Sequence, residues 1–345
     1  MTGAQLVVWF VVPEGIDDPS RVSGGNVFDR RVGSELRRLG WDVRTVEVDP
    51  AASSAADPFA AVPDGGLVLL DGLVAIGAPE AVEAAARRVS LVTLVHMVAD
   101  AFPDADPRTV EGEGRALPHA QRVIATSAWV RDELVQRCLS SPERIVVATP
   151  GADAAATAEG TSTGGSLLCV GVVAPHKGQD TLIEALAGLA SDPSWSCTIA
   201  GSVSSDRGFA ERLETDAARA GLSERITWTG VLSPDDLDAA YARADVLVAP
   251  SRTESYGIAV GDALRRGIPV IATRVGGLPE AARPEDAAIL VPPDDPKALG
   301  FALRRWIEDP GLRSRLSAAA RRAAPHRASW RDTARTIDQT LAGLT

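Results

Sequence analysis

Lysine is nearly missing from this sequence. Of its 35 basic residues only Lys177 and Lys297 are lysine, and the rest are arginine. A composition that replaces lysine almost everywhere makes each surviving one a candidate for a chemical reason. Cysteine is scarce as well. Cys138, Cys169 and Cys197 are widely spaced and form neither a disulfide framework nor a zinc pattern. No run of about 18 uncharged apolar residues occurs, so no membrane-spanning helix is expected. The first stretch, MTGAQLVVWFVVPEG, lacks a basic leader and runs straight into a strand pattern, unlike a signal peptide. The expectation is a cytoplasmic protein. Positive charge is outweighed too: the net charge of -11 argues against nucleic acid as a partner. A basic face gathers on one early helix, at Arg30, Arg31, Arg37 and Arg38. Asp29, Glu35 and Asp42 dilute it, so membrane docking is not expected. Neither a GxGxxG fingerprint nor a Walker phosphate loop is present.

What is there is rhythm. The 345 residues suffice for about two domains. Short Val/Ile/Leu runs alternate with Ala/Arg/Glu-rich helical patterns. Strands are expected at 6–12, 67–70, 91–97 and 122–126, with helices at 26–39, 79–88, 107–118 and 128–139. Runs that are apolar throughout, not alternately, mark strands buried on both faces, hence a parallel sheet covered by helices. Residues 152–166 are small and polar without periodicity and read as a linker. The rhythm restarts at 166–173, 196–201, 225–230, 245–250, 268–273 and 287–291. A helical tail over 295–343, interrupted near Pro310 and Pro325, exceeds what the second sheet needs. Its last helix is expected to return to the first domain. Two such sheets facing each other would bind ligands in the cleft at the carboxyl ends of their strands.

Four features fall at strand ends. Ser23, Gly24 and Gly25 open a helix after the first strand, where glycines admit a ligand and the helix N-terminus offers N–H groups to an anion. A plain turn would look the same. Lys177 and Gly178 close a loop in VGVVAPHKGQD; a lone ammonium there could neutralise a phosphate, or could be a solvated loop lysine. His96 ends LVTLVHM, as a satisfied core imidazole or as a cleft residue. The fourth is PSRTESYGIAVGDAL. A helix opened by Gly257 would leave the N–H groups of Ser255, Tyr256, Gly257 and Ile258 unpaired. Glu254 precedes that turn and Asp262 lies just over one turn inside. Two such acids are ordinarily surface charges; with a glycine-opened helix they suggest a polyol held by carboxylates, its phosphates on the helix N-terminus.

These residues resemble the retaining glycosyltransferase family 4, of the GT-B fold, across nearly the whole chain. PSRTESYGIAVGDALRRGIPVIATRVGGLPE is similar to the family's signature of two acids with seven residues between them, a Gly-x-Pro-Val strand and a Gly-Gly turn. VGVVAPHKGQDTLIEAL looks like its Lys-Gly loop, SGGNVFDRRVGSELRRLGWDV like its N-terminal glycine loop, and VATPGAD like its strand-to-linker element.

The resemblance implies an α/β chain of two doubly wound, Rossmann-like domains facing across a cleft. Residues 1–155 form the acceptor-side domain and 156–326 the nucleotide-sugar domain, with a last helix at about 327–345 packed back on the first. It implies hexose transfer from a nucleoside-diphosphate sugar, UDP- or GDP-linked, to a hydroxyl of a small molecule or glycan. No cofactor and no metal are implied, and no cluster of acids in the sequence looks like a metal site.

By position, Glu254 and the backbone of Ser255 to Ile258 would hold donor hydroxyls and the distal phosphate. Asp262 would hold the ribose, and Leu232 would border the base. Lys177, with the Gly24–Gly25 loop on its other side, would stabilise the leaving diphosphate. His96 would lie beneath the donor sugar on the acceptor side. Two departures stand out. The second acid is Asp262, shorter than the family's Glu, and Val172 replaces an arginine that pairs with the diphosphate. Lys177 would then carry more of the neutralisation, or another arginine such as Arg252 would supply it. The alternatives are a nucleotide-sugar epimerase, a sugar phosphorylase, or a non-catalytic homologue on the same fold.

Overall fold

The computed structural model describes residues 6–18, 22–49, 57–102 and 105–345. The chain divides into two compact units, Met1–Gly151 with Ala328–Thr345, and Ala152–Arg327.

The first unit holds a six-stranded parallel sheet. Its strands are β1 (Val7–Pro13), β2 (Asp42–Val48), β3 (Leu67–Asp71), β4 (Ser90–Val95), β5 (Arg122–Ala125) and β6 (Ile145–Val147), in spatial order 2-1-3-4-5-6. The four expected from apolar runs are the central ones. β2 and β6, for which no apolar run was found, are the two edges, where one flank of the strand is uncovered and a continuous apolar stretch is not required. Val11, Val68, Leu70 and Leu91 pack with Val74, Val82 and Ala85 of the helices that follow β3. Val95, Val123 and Ala125 pack with Val130 and Leu134. The last helix, Trp330–Ala342, packs on the first, Gly24–Arg38. Trp330 meets Phe28 edge-on at 5.6 Å, and Trp41 Nε1 donates to Asp338 Oδ1 at 2.7 Å.

The second unit repeats the plan with β7 (Ser166–Val170), β8 (Ser196–Ala200), β9 (Ile226–Gly230), β10 (Val246–Ala249), β11 (Val270–Thr273) and β12 (Ala288–Val291), all parallel, in order 12-11-10-7-8-9. Successive side chains of a strand point to opposite faces. Leu167 and Cys169 accordingly enter one core with Leu182, Leu186, Leu303 and Trp306. Leu168 enters the other, with Tyr241, Val260 and Leu264. Burial of both faces is why β7 reads as an unbroken apolar run.

The stretch 152–166 differs from a free linker. It has no regular structure up to β7, yet Ala158 N donates to Arg266 O at 2.8 Å and Ala158 is buried. Asp245 accepts from Thr161 N, Thr161 Oγ1 and Ser166 N. Backbone and hydroxyl donors that a polar composition leaves unassigned are thus tied to the second unit.

Candidate functional site

In each sheet the strand order reverses once, and ligands of open α/β sheets bind at the carboxyl ends of the strands flanking that reversal. In the second unit the reversal falls between β7 and β10. The loop after β7 carries Lys177 and the loop after β10 carries Glu254, so the topology alone brings these two sequence-selected residues together. Lys177 Nζ lies 2.6 Å from Glu254 Oε2, both side chains about one-fifth exposed.

The two loops are fastened together. Gly178 takes φ 67°, and a Cβ there would run into the carbonyl of Pro250. Arg252 N donates to His176 O at 2.8 Å. The Arg252 guanidinium grips the Asp180 carboxylate at 2.7 and 2.9 Å, reaches Pro175 O at 2.6 Å and pairs with Asp294. Arg252, the other candidate for the charge that Val172 lacks, clamps the two loops between Asp180 and Asp294. Gln179, whose Nε2 donates to Val172 O at 2.9 Å, keeps a buried Oε1 with no partner.

The Glu254 segment is held from behind by the Gly276–Gly277 turn. Gly277 N donates to Glu254 O at 2.9 Å, Gly276 has φ 51°, and a Cβ on it would overlap that same carbonyl. Gly257, at φ 105°, precedes the helix Ile258–Arg265. Val260 and Gly261 bond back to Gly257 O, so the N–H groups of Ile258 and Ala259 precede the helical ladder. Ser255 and Tyr256 each have a partner as well. Asp262 is half-buried, 4.0 Å from Arg266, whose guanidinium also pairs with Asp238 and stacks on Tyr241 at 4.7 Å. Leu232 packs, half-buried, against the core that includes Val260.

In the first unit the reversal falls between β1 and β3. After β1 comes the helix Gly24–Arg38, N-capped by Ser23, whose side chain accepts from Asn26 N at 3.1 Å. Gly24 is exposed, and a Cβ on Gly25 would be 3.2 Å from His96 Cδ2. His96 follows β4 directly. Its Nε2 lies 2.9 Å from Asp29 Oδ1 and 3.2 Å from Asp71 Oδ2. Phe28 meets the ring edge-on at 5.2 Å. Burial lifts Asp29 to about 7, with Asp71 adding to the rise and His96 opposing it. Burial works against charging His96, but Asp29 and Asp71 outweigh it and push the imidazole up to about 10.

Among the described residues, Asp29, Asp71 and His96 are a group of metal-ligand type, with one ligand atom from each within 4.8 Å. Sequence reading expected no such cluster, because Asp29 and His96 lie 67 residues apart and Asp71 is on a third element. A signal was available. Asp29 occupies a helical stripe with Val32, Gly33 and Leu36, and Asp71 closes a strand that is buried throughout. An acid on an apolar face is the mark of a group with a partner.

Glu113 was missed for the same reason. It is buried on the helix Pro107–Ala116, and both its oxygens accept from Ala99 N at 3.1 and 3.0 Å, bracing the segment after His96. Burial raises its carboxyl to about 7.

Residues 161–323 match the family model described as glycosyl transferases group 1. The D-inositol 3-phosphate glycosyltransferase of Streptomyces bingchenggensis is 34% identical over 260 residues, 68% of this chain and 57% of that protein. Its namesake in Salinispora arenicola is 30% identical over 282 residues, 75% and 61% of the two chains. This chain therefore spans about three fifths of the length of those relatives. Among solved structures, sucrose-phosphate synthase from Thermosynechococcus elongatus superposes with a TM-score of 0.81 at 21% identity, covering 97% of this chain and 98% of that one. Anabaena HepE, in complex with UDP and glucose, gives 0.78 at 19%, covering 97% and 99%. No helix among the described residues is long and apolar enough to cross a membrane.

Proposed function

We propose that this chain, a family-4-like glycosyltransferase of GT-B architecture, moves a hexose from a nucleoside-diphosphate sugar to an acceptor hydroxyl with retention of anomeric configuration. The observation that carries the reading is the meeting of Lys177 and Glu254 at the strand reversal of the unit that matches the family model. Breaking the bond from the anomeric carbon to the diphosphate oxygen leaves negative charge on that oxygen. An ammonium and a helix N-terminus fixed beforehand lower the cost of that charge.

In this reading Lys177 stabilises the leaving diphosphate, and the backbone of Gly24 and Gly25 also serves substrate binding. Glu254 accepts from donor hydroxyls, Gly257 and Ile258 offer backbone N–H groups to the distal phosphate, and Asp262 takes the ribose. Leu232 borders the base, and His96 serves the acceptor side. The acceptor oxygen attacks on the face the diphosphate leaves, and its proton passes to the departing phosphate oxygen. Charge neutralisation then needs no divalent ion. A bound UDP and glucose in HepE, and inositol 3-phosphate in the names of the relatives, support a UDP-type donor and a small polyol acceptor.

The test is a thermal-shift screen against UDP-, GDP-, ADP- and dTDP-sugars, since a ligand that binds only the folded state raises the melting temperature. Turnover of the donor that shifts it follows, with and without polyol acceptors, and NMR of the product's anomeric centre. Retained configuration and acceptor-dependent turnover are expected. Turnover to an isomerised donor without acceptor would point to an epimerase. No shift and no turnover with any donor would sink the reading.

A further inference from the structure

We propose that Asp29 and Asp71 are positioning residues that hold His96 as an imidazolium through Nε2, leaving its Nδ1–H as the donor the ring offers to a substrate oxygen. The inference rests on the transferase reading above and specifies what His96 does within it. His96 is a donor, not the base that deprotonates the acceptor.

The argument starts from a count of charges. Two carboxylates, each 1% exposed, converge on one ring nitrogen, at 2.9 and 3.2 Å. They arrive from independent elements, the helix after β1 and the end of β3, on either side of the strand reversal. Asp71 Oδ1 is committed to capping the next helix, accepting from Leu73 N at 2.7 Å. Asp29 Oδ2 is buried with no partner. A neutral ring would give two buried carboxylates one shared dipolar N–H and nothing to balance their charge. Buried charges persist only when paired. A protonated ring supplies the counter-charge, and the upward shift at His96 agrees with that balance; the rise at Asp29 comes from burial, which the imidazolium opposes. Asp29 and Asp71 are the charged groups that face the ring; its other neighbours, Gly25 and Phe28, are neutral.

A metal ion would balance the charge too, and the experiment below tests for one. The 2.9 Å from Nε2 to Asp29 Oδ1 is the length of an ordinary charge-assisted hydrogen bond. Gly25 lies against Cδ2 and Cγ, Phe28 packs edge-on, and Nδ1 has no partner among the described residues. The side chain is 14% exposed. With Nε2 held by the two carboxylates, Nδ1 is the ring nitrogen left to offer a proton.

The experiment uses the whole protein labelled with 15N-histidine, with imidazole nitrogens followed by NMR from pH 6 to 9 and the His96 signals assigned by their loss in His96→Asn. Both ring nitrogens should remain protonated at pH 7.5 and up to pH 9. Asp71→Asn, which preserves the helix cap, should bring the titration down by about one pH unit or more, as should Asp29→Asn. A neutral ring at pH 7.5 in the unmodified protein overturns the inference, and so does a stoichiometric divalent ion that purifies with the protein and is lost in Asp29→Asn.

The activity arm separates donor from base. Asn keeps an N–H where Nδ1 stood, so His96→Asn should retain at least about tenfold more turnover than His96→Phe, on the scale of one lost hydrogen bond to a substrate oxygen. Equal loss in both overturns the donor role. Sugar transfer with a neutral ring defeats this inference alone. A charged ring in a protein that transfers no sugar defeats the transferase reading and leaves the charge cluster standing.

Discussion

The ammonium of Lys177 and the carboxylate of Glu254 are each other's counter-ions at 2.6 Å, joined across the strand reversal of the second unit. A nucleotide sugar that uses both must exchange this contact for its own. Its phosphates would draw the ammonium and its hydroxyls the carboxylate.

Lys177→Ala should therefore lower turnover by about 10²–10³, the scale for losing one stabiliser of a developing oxyanion. Lys177→Arg should recover only part, since a planar fork does not reproduce a compact ammonium. Glu254→Gln should cripple transfer with the melting temperature held within a few degrees. Steady-state kinetics beside thermal melts decide. Near-normal turnover in Lys177→Ala would place the diphosphate elsewhere.

Gly276→Ala acts on the same carboxylate from behind. Its φ of 51° is costly for alanine, and the new Cβ overlaps Glu254 O. A loss of about 1–3 kcal/mol in stability is expected, together with weaker donor binding as the Glu254 segment is displaced. Denaturant unfolding and donor titration measure the two; unchanged donor affinity would separate the turn from the site.

Asp262→Asn should weaken free nucleoside diphosphate and intact donor alike, by about tenfold, as expected for one charge-assisted hydrogen bond. Calorimetric titration of both ligands checks it. An effect on the donor alone would move Asp262 off the ribose.

Transfer should survive excess EDTA, because the cations assigned to the diphosphate are protein groups. Complete loss of activity, restored by magnesium or manganese, would refute that assignment.

Glu113 sets a pH dependence with a definite sign. Its carboxyl moves from 4.5 to about 7 on folding, so between those values the folded state binds the extra proton. The stability this contributes is full below pH 4.5 and is lost as pH rises through 7. Compared with the unmodified protein, Glu113→Gln should show a flatter fall in melting temperature between pH 5 and 8. Parallel curves would show that Glu113 does not titrate there.

The sequence was legible wherever one residue's surroundings follow from its own element. Central strands such as Leu67–Asp71 are buried on both faces and announce themselves as apolar runs. Edge strands such as Asp42–Val48, where Arg44, Thr45 and Glu47 are exposed, do not. Lys177 and Glu254 could be selected because each stands in a glycine-marked loop at a strand end. Asp29, Asp71 and Glu113 carried only the fainter mark of an acid on an apolar face, since the partner that defines each lies on another element. Asp29 read as a charge diluting a basic face, and only folding shows that it points inward at His96. Arg252 looked available because Asp180 and Asp294 are distant in sequence.

The return of the helix Trp330–Ala342 to the first unit has a bearing on biosynthesis. Gly151 lies against the backbone of Ser329 and Trp330 so closely that a Cβ would not fit, so the chain leaves the first unit and re-enters it at neighbouring points. The second unit is in effect an insertion. On the ribosome, Ala152–Arg327 emerges complete and can close its own core, while Phe28 and Trp41 wait for the final helix. The first unit is thus begun first and finished last, and a nascent chain stalled anywhere before Trp330 should present that uncovered aromatic face to chaperones.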